Sequence, residues 1–190
     1  MQRRTFWMGA LAWAGAGLAA RVGAQDAAAE LWRQARLGGV LLVRHAITEP
    51  GLGDPPGFDL AQCRTQRNLS EAGRAQARAM GEWFRRHQLQ PQAVLSSQWC
   101  RCQDTAQLAL GRVQAWPALN STFDGQGQPE TQLRDLRERL GGLREGTLEV
   151  WVTHQVIMTA LTGAYPALGE GFLVDRRGQL RARGMMSPDA

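Results

Sequence analysis

The sequence contains no lysine: all 22 of its basic residues are arginine. That absence excludes the G-x-x-x-x-G-K-[ST] loop, whose lysine reaches a nucleotide's phosphates, and any mechanism that passes through a lysine Schiff base. Histidine and cysteine are scarce, with three residues each. Cys63, Cys100 and Cys102 lack zinc-knuckle spacing, and there is no H-E-x-x-H, so the sequence offers no metal site and calls for no cofactor. No apolar run is long enough for a comfortable membrane span; Trp7 to Ala20 is short and broken by glycine.

That run sits behind Arg3-Arg4 and Phe6 and ends at Arg21 and the small residues Val22-Gly23-Ala24. The three zones are those of a cleaved export signal, and the paired arginines resemble a twin-arginine signal. The expectation is therefore a signal over 1–24, a single domain over 25–190, a periplasmic location and no stable membrane anchor after cleavage. Cleavage lowers the formal charge from +5 to +2, with 19 arginines against 17 acids. A nucleic-acid partner, which needs a basic stripe with interleaved aromatics, loses its support. In an oxidising compartment the three cysteines allow one disulfide, from Cys63 to Cys100 or Cys102, with one thiol left over.

Along the chain, residues 26–36 read as a short amphipathic lead-in. Residues 39–43 (GVLLV) read as a strand buried on both faces, and 49–60 (EPGLGDPPGFDL) as a Pro/Gly loop on the rim of a site. Ser70 caps a helix in which Ala72, Ala75, Ala79, Met80, Trp83 and Phe84 recur at helical spacing. A second strand, 93–95, runs into Ser96-Ser97 and a helix stopped by Gly111. A third, at 113–119, is confined to an edge by Pro117. A polar loop over 120–130 precedes a helix ended by Gly141-Gly142. A core strand at 148–153 leads to His154 and a helix reaching Gly163, and the tail 171–183 forms a hairpin turning at Arg177-Gly178. Alternating strands and helices predict an α/β fold, a three-layer αβα sandwich with a mostly parallel central sheet.

The chemistry collects at strand ends. Arg44-His45 follows the first strand, Ser97 and Arg101 follow the second, and His154 follows the last, at the carboxyl edge where open α/β sheets bind ligands. Arginine offers a planar fork for phosphate oxygens, and a histidine nitrogen attacks phosphorus once its tautomer is fixed. The constellation asks for a phosphoryl group. His87, near a helix C-terminus, is given no function.

Four segments carry a resemblance to a known family. Arg44-His45-Ala46 with Thr48 is similar to the R-H-[GA]-x-T signature of the histidine phosphatase superfamily, the phosphoglycerate-mutase-like fold. Residues 68–77 (NLSEAGRAQA) resemble its L-[ST]-x-x-G-x-x-Q-A segment, 96–106 (SSQWCRCQDTA) its S-S-x-x-x-R-x-x-x-T-A segment, and 152–156 (VTHQV) its second histidine motif.

The resemblance implies a phosphomonoesterase acting on a small-molecule phosphate ester, with His45 as the nucleophile that becomes phosphohistidine. Arg44, Arg101 and His154 would hold the phosphoryl oxygens, with Thr48 as a further contact; apart from the resemblance, Arg67 and Asn68 next to the helix start are expected to meet the substrate. One element departs from the pattern. Where many members carry an L-x-E glutamate as proton donor, this chain reads Leu119-Asn120-Ser121, which leaves Asp124, Glu130 and Asp54 as candidates, Asp124 first. Two rival readings follow: a phosphate-ligand binding protein that keeps the anion pocket without an efficient general acid, and, more weakly, a mutase. The size and signal also resemble those of periplasmic heptose phosphatases, which implies a cell-envelope phosphosugar as substrate. The sequence does not fix the oligomeric state.

Overall fold

The unbroken apolar run of the first strand already dictates a layer on each side of it. In the computed structural model, which describes residues 26–188, β1 (Gly39–Arg44) is buried along nearly its whole length. Leu41 and Val43 pack into one cluster with Leu31, Met80, Trp83 and Cys102, while Val40 and Leu42 pack into a second with Leu119, Leu136, Trp151 and Ile157. Successive strand residues point to opposite faces, so a strand apolar at every position needs two cores.

The first core lies under α1 (helical over 26–35), α2 (Glu71–Arg86) and α3 (Cys100–Leu110). The second lies under α4 (Pro129–Gly142) and α5 (Gln155–Thr162). The sheet between them has six strands, with β2 (Ala93–Ser96), β3 (Gln114–Ala115), β4 (Leu148–Thr153), β5 (Glu170–Val174) and β6 (Leu180–Met185) in the order β3-β2-β4-β1-β5-β6. β3, β2, β4 and β1 run parallel, and β5 and β6 are antiparallel additions. The expected three-layer αβα sandwich with a mostly parallel sheet is the fold. The tail hairpin is more central than its position in the sequence suggests: β5 pairs directly with β1 and is buried throughout.

Local signals act where the sequence puts them. The Ser70 side chain accepts from Gly73 N–H at the start of α2. Gly111 and Gly163 end α3 and α5 in the left-handed conformation. Pro117 opens a 3-10 turn (Pro117–Leu119), so the third strand shrinks to two exposed edge residues. His87 caps α2 and stacks on Trp32, with ring centroids 4.9 Å apart. The expected export signal over 1–24 lies outside the described residues. Among those described, no helix is long and apolar enough to cross a membrane.

Candidate active site

Parallel strands β1, β2 and β4 end at one edge, and the loops leaving them meet around a cavity of about 530 Å³. Arg44 and His45 reach it from the end of β1, Arg101 from the first turn of α3, and His154 from the residue after β4. The loop between β1 and α2 supplies Asp54 and Arg67, and a 3-10 turn (Phe123–Gly125) supplies Asp124.

The loop after β1 is held by the segment at 68–77. Leu69 pairs with Thr48 in an antiparallel bridge. Gln76 accepts from Ile47 N–H at 3.0 Å and donates to the Leu168 carbonyl at 3.0 Å. A Cβ on Gly73 would stand 1.7 Å from the Ile47 carbonyl oxygen, so only glycine lets the helix approach this closely. Behind the loop, Ala46 N–H donates to Thr105 Oγ1, 3.1 Å away on α3.

His45 is 4% exposed, and its Nδ1 lies 2.9 Å from the Ala46 carbonyl oxygen. A carbonyl only accepts, so the neutral ring carries its proton on Nδ1 and its lone pair on Nε2. Burial, followed by the charge of Arg101, pushes the imidazole pKa down to about 3, against a small opposing effect of the Ala46 carbonyl. At neutral pH the ring is therefore uncharged, with an Nε2 lone pair available to attack an electrophile.

His154 sits edge-on to His45, with centroids 5.5 Å apart. Its Nε2 is 2.8 Å from Ser97 Oγ, whose own proton goes to Asn120 Oδ1 at 3.2 Å. His154 Nε2–H is thus the donor, and its lone pair is on Nδ1. Burial first, then Arg101 and His45, hold its pKa well below the usual value. An arriving dianion opposes both effects and favours a proton on His154.

Arg101 is clamped. Its Nη1 and Nη2 meet Asp54 Oδ1 and Oδ2 at 2.7 and 3.1 Å, and Asp54 also accepts from Trp99 Nε1 and from the Arg67 backbone N–H, both at 2.9 Å. Burial alone would raise the Asp54 pKa, but the Arg101 bonds and the Arg67 N–H outweigh it and hold the carboxyl below its usual range. A carboxylate this engaged is an anchor for Arg101 and a poor proton donor. Arg67 Nε donates to the Gly53 carbonyl at 2.7 Å and its Nη1 to Thr48 Oγ1, while Arg44 Nη1 donates to the Pro166 carbonyl at 2.9 Å. Among the described residues, Arg44 Nε and Arg101 Nε are buried donors without an acceptor.

The remaining candidates separate by position. Asp54 and Asp124 are the acids on the cavity wall, whereas Glu130 is exposed in the first turn of α4, outside it. Ser121, at the position where the L-x-E pattern has its glutamate, does line the cavity, and Asp124 stands three residues further along the same wall. Thr48 and Asn68 do not line it. Thr48 is buried as the acceptor for Arg67, and Asn68 Nδ2 donates to the Cys63 carbonyl at 2.6 Å. Neither is placed on the cavity wall, and both shape the loop that carries Arg67.

Cys63 is bonded to Cys100, across 37 residues, which ties the same loop to the residue before Arg101. A bridge over that separation stabilises a fold by about 2–4 kcal/mol. Cys102 is the free thiol; complete burial pushes its pKa up to about 12, so it stays protonated. Sequence reasoning did not single out Leu52, Phe123 and Tyr165, which line the cavity beyond the arginines. Their only signal was their place on loops beside the motifs. Among the described residues, no group of three or more His, Cys, Asp or Glu is placed to hold a metal ion.

Similar folds appear among solved structures. The protein histidine phosphatase SixA in complex with tungstate is 17% identical, aligned over 78% of this chain and 96% of its own with a TM-score of 0.52. SixA from Agrobacterium tumefaciens is 19% identical over 76% and 95%, with a TM-score of 0.53. An Escherichia coli K-12 protein assigned as an α-ribazole-5′-P phosphatase is 18% identical over 80% and 98%, with a TM-score of 0.57. At these identities the likeness is one of fold. No curated protein is similar enough in sequence to count as a relative. The pattern of the histidine phosphatase superfamily (branch 1) matches residues 40–147, more than half of the chain and every site element before β4, and the chain belongs to that superfamily.

Proposed function

We propose that the protein is a phosphomonoesterase working through phosphohistidine at His45. The observation that carries this reading is the Nδ1 contact of His45 with the Ala46 carbonyl, which leaves Nε2 as a lone pair among Arg44, Arg67 and Arg101. The Nε2 pair attacks phosphorus as the ester P–O bond breaks, and the departing oxygen takes the proton of Asp124. Water then attacks the phosphohistidine, giving its proton back to Asp124, and releases phosphate and neutral His45. The arginines neutralise charge on the phosphoryl oxygens, which is most of what such a transfer needs.

A second reading is a phosphate-ligand binding protein, favoured by Ser121 at the position where the family pattern has a glutamate. Rapid quenching of residues 25–190 with a labelled aryl phosphate separates the two. An acid-labile, base-stable adduct on His45 that turns over is the expected result. Phosphate binding with neither adduct nor product establishes a receptor instead.

Export is part of the proposal, supported by Arg3-Arg4 and the apolar stretch that follows. Arg4→Lys is expected to lower periplasmic yield; an unchanged yield would point to the general secretory route.

A further inference from the structure

Beyond its cationic floor the cavity changes character. Leu52 from the loop after β1, Phe123 from the 3-10 turn and Tyr165 from the loop after α5 all line it, with exposures of 87%, 42% and 63%. They are half of the six exposed large hydrophobic residues among those described, the others being Leu37, Ile47, Met185. Scattered exposed hydrophobics need no explanation, but three converging from separate segments on one phosphate site do. The loop that carries Leu52 runs close to Phe123: a Cβ built on Gly53, next to Leu52, would lie 3.5 Å from Phe123 Cε1. Tyr165 in turn carries the Arg44 guanidinium 5.8 Å from its ring centroid, so the apolar rim begins where the floor ends.

Of the uncharged amide and hydroxyl side chains on the wall, Ser121 and Gln155 each make one hydrogen bond within the fold, and Gln126 makes none with another described residue. Ser121 Oγ accepts from Phe123 N–H at 3.2 Å, and Gln155 Nε2 donates to Thr159 Oγ1 at 3.0 Å. Among the described residues no arginine lines the cavity other than Arg44, Arg67 and Arg101, so a second phosphate further out would meet no counter-charge from them. A polyhydroxylated leaving group set against Leu52, Phe123 and Tyr165 would exchange water there for apolar surface without replacing those hydrogen bonds.

We infer that the site selects phosphate monoesters of apolar alcohols: the dianion rests on the three guanidiniums and the alcohol half is buried against Leu52, Phe123 and Tyr165. The inference rests on the phosphatase reading for the word substrate, but the binding preference stands without turnover. The cavity has the size of an ordinary small-ligand pocket, which suits an alcohol of modest length or a single ring.

The test is calorimetric binding of inorganic phosphate, of ethyl, butyl and hexyl phosphate, and of glucose 6-phosphate to residues 25–190, run beside turnover of an aryl phosphate. The n-alkyl esters keep the phosphate and the alcohol chemistry constant while apolar area grows. The expected result is affinity rising about two- to fourfold per added methylene, hexyl phosphate outbinding glucose 6-phosphate, and a flatter rise in Leu52→Ser, whose exposed side chain the fold does not need. Affinity independent of chain length, or glucose 6-phosphate binding as well as hexyl phosphate, overturns the inference. So does an unchanged rise in both Leu52→Ser and Phe123→Ser. Chain-length dependence without turnover would sink the phosphatase reading alone, and turnover without chain-length dependence would sink the apolar rim alone. A protein that binds none of the probes, inorganic phosphate included, refutes both.

Discussion

Asp54 grips Arg101 with both carboxylate oxygens, at 2.7 and 3.1 Å, and the two side chains are 4% and 5% exposed. They are 47 residues apart in sequence, one on a Pro/Gly loop and the other on a helix, so the pair fastens the mobile kind of element to the rigid kind. Removing one partner of a buried pair leaves the other charge uncompensated, at a cost of about 3–5 kcal/mol. Asp54→Ala is expected to lower stability on that scale and to raise KM for phosphate esters as Arg101 loses its fixed position. Chemical denaturation of the variant checks the first part and steady-state kinetics the second. A variant with wild-type stability would show that the pair forms in the drawing of the fold but not in its energetics.

The buried histidines set an acid limit on stability. Both are held neutral in the folded protein, His45 with a pKa of about 3 and His154 well below its ordinary value, whereas in the unfolded chain a histidine titrates near 6.5. Between those values the unfolded state binds more protons, so stability falls as the pH drops through that window, by up to about 1.4 kcal/mol per pH unit for each site. Asp54 acts lower: its folded pKa is below the usual carboxylate value, so its contribution is complete above that value and is lost only as the pH falls through the folded one. Urea midpoints at pH 7, 5.5 and 4.5 should decline, and decline less steeply in His45→Asn. Parallel curves for the two proteins would count against the depressed His45 pKa.

With Asp54 engaged and Glu130 outside the cavity, the proposed mechanism assigns the proton for the leaving oxygen to Asp124. Asp124→Asn is expected to slow alkyl esters by a factor on the order of hundreds while sparing aryl esters, whose leaving oxygens need little help. Equal losses on both classes would assign Asp124 to binding rather than proton transfer.

Gly73 and Gly141 make a matched pair of glycine-to-alanine tests. At Gly73 the new methyl would meet the Ile47 carbonyl at 1.7 Å, and at Gly141, within α4, it would meet nothing within 4 Å. Gly73→Ala is expected to cost about 1–3 kcal/mol and, by displacing the loop that leaves His45, to reduce kcat. Gly141→Ala is expected to be neutral or to stabilise by up to about 1 kcal/mol. Melting temperatures in opposite directions are the signature; a tolerated Gly73→Ala would mean that the loop after β1 yields.

The sequence announces what lies on periodic elements and at their ends. Strand patterning placed Arg44, His45, Arg101 and His154 at one sheet edge, and the structure brings all four to one cavity. Long-range pairings left no such trace. Nothing near Asp54 points to a partner 47 residues away, and nothing near Thr48 or Asn68 announces their bonds to Arg67 and to the Cys63 carbonyl. Cys100 and Cys102 lie two apart on α3, so their side chains leave on opposite sides and only one can reach Cys63, but spacing alone does not say which. The centrality of β5 was hidden for the same reason: its place beside β1 depends on a pairing across more than a hundred residues.

The all-guanidinium floor also determines how the protein answers chemical reagents. The sequence offers amine-directed labels no lysine side chain, whereas the half-buried Arg44 and Arg67 on the cavity wall present guanidiniums to dicarbonyl reagents. Inactivation by such a reagent, with protection by phosphate, would map the occupied cavity without any substitution, and amine coupling would fix the molecule to a surface by one end with its site untouched.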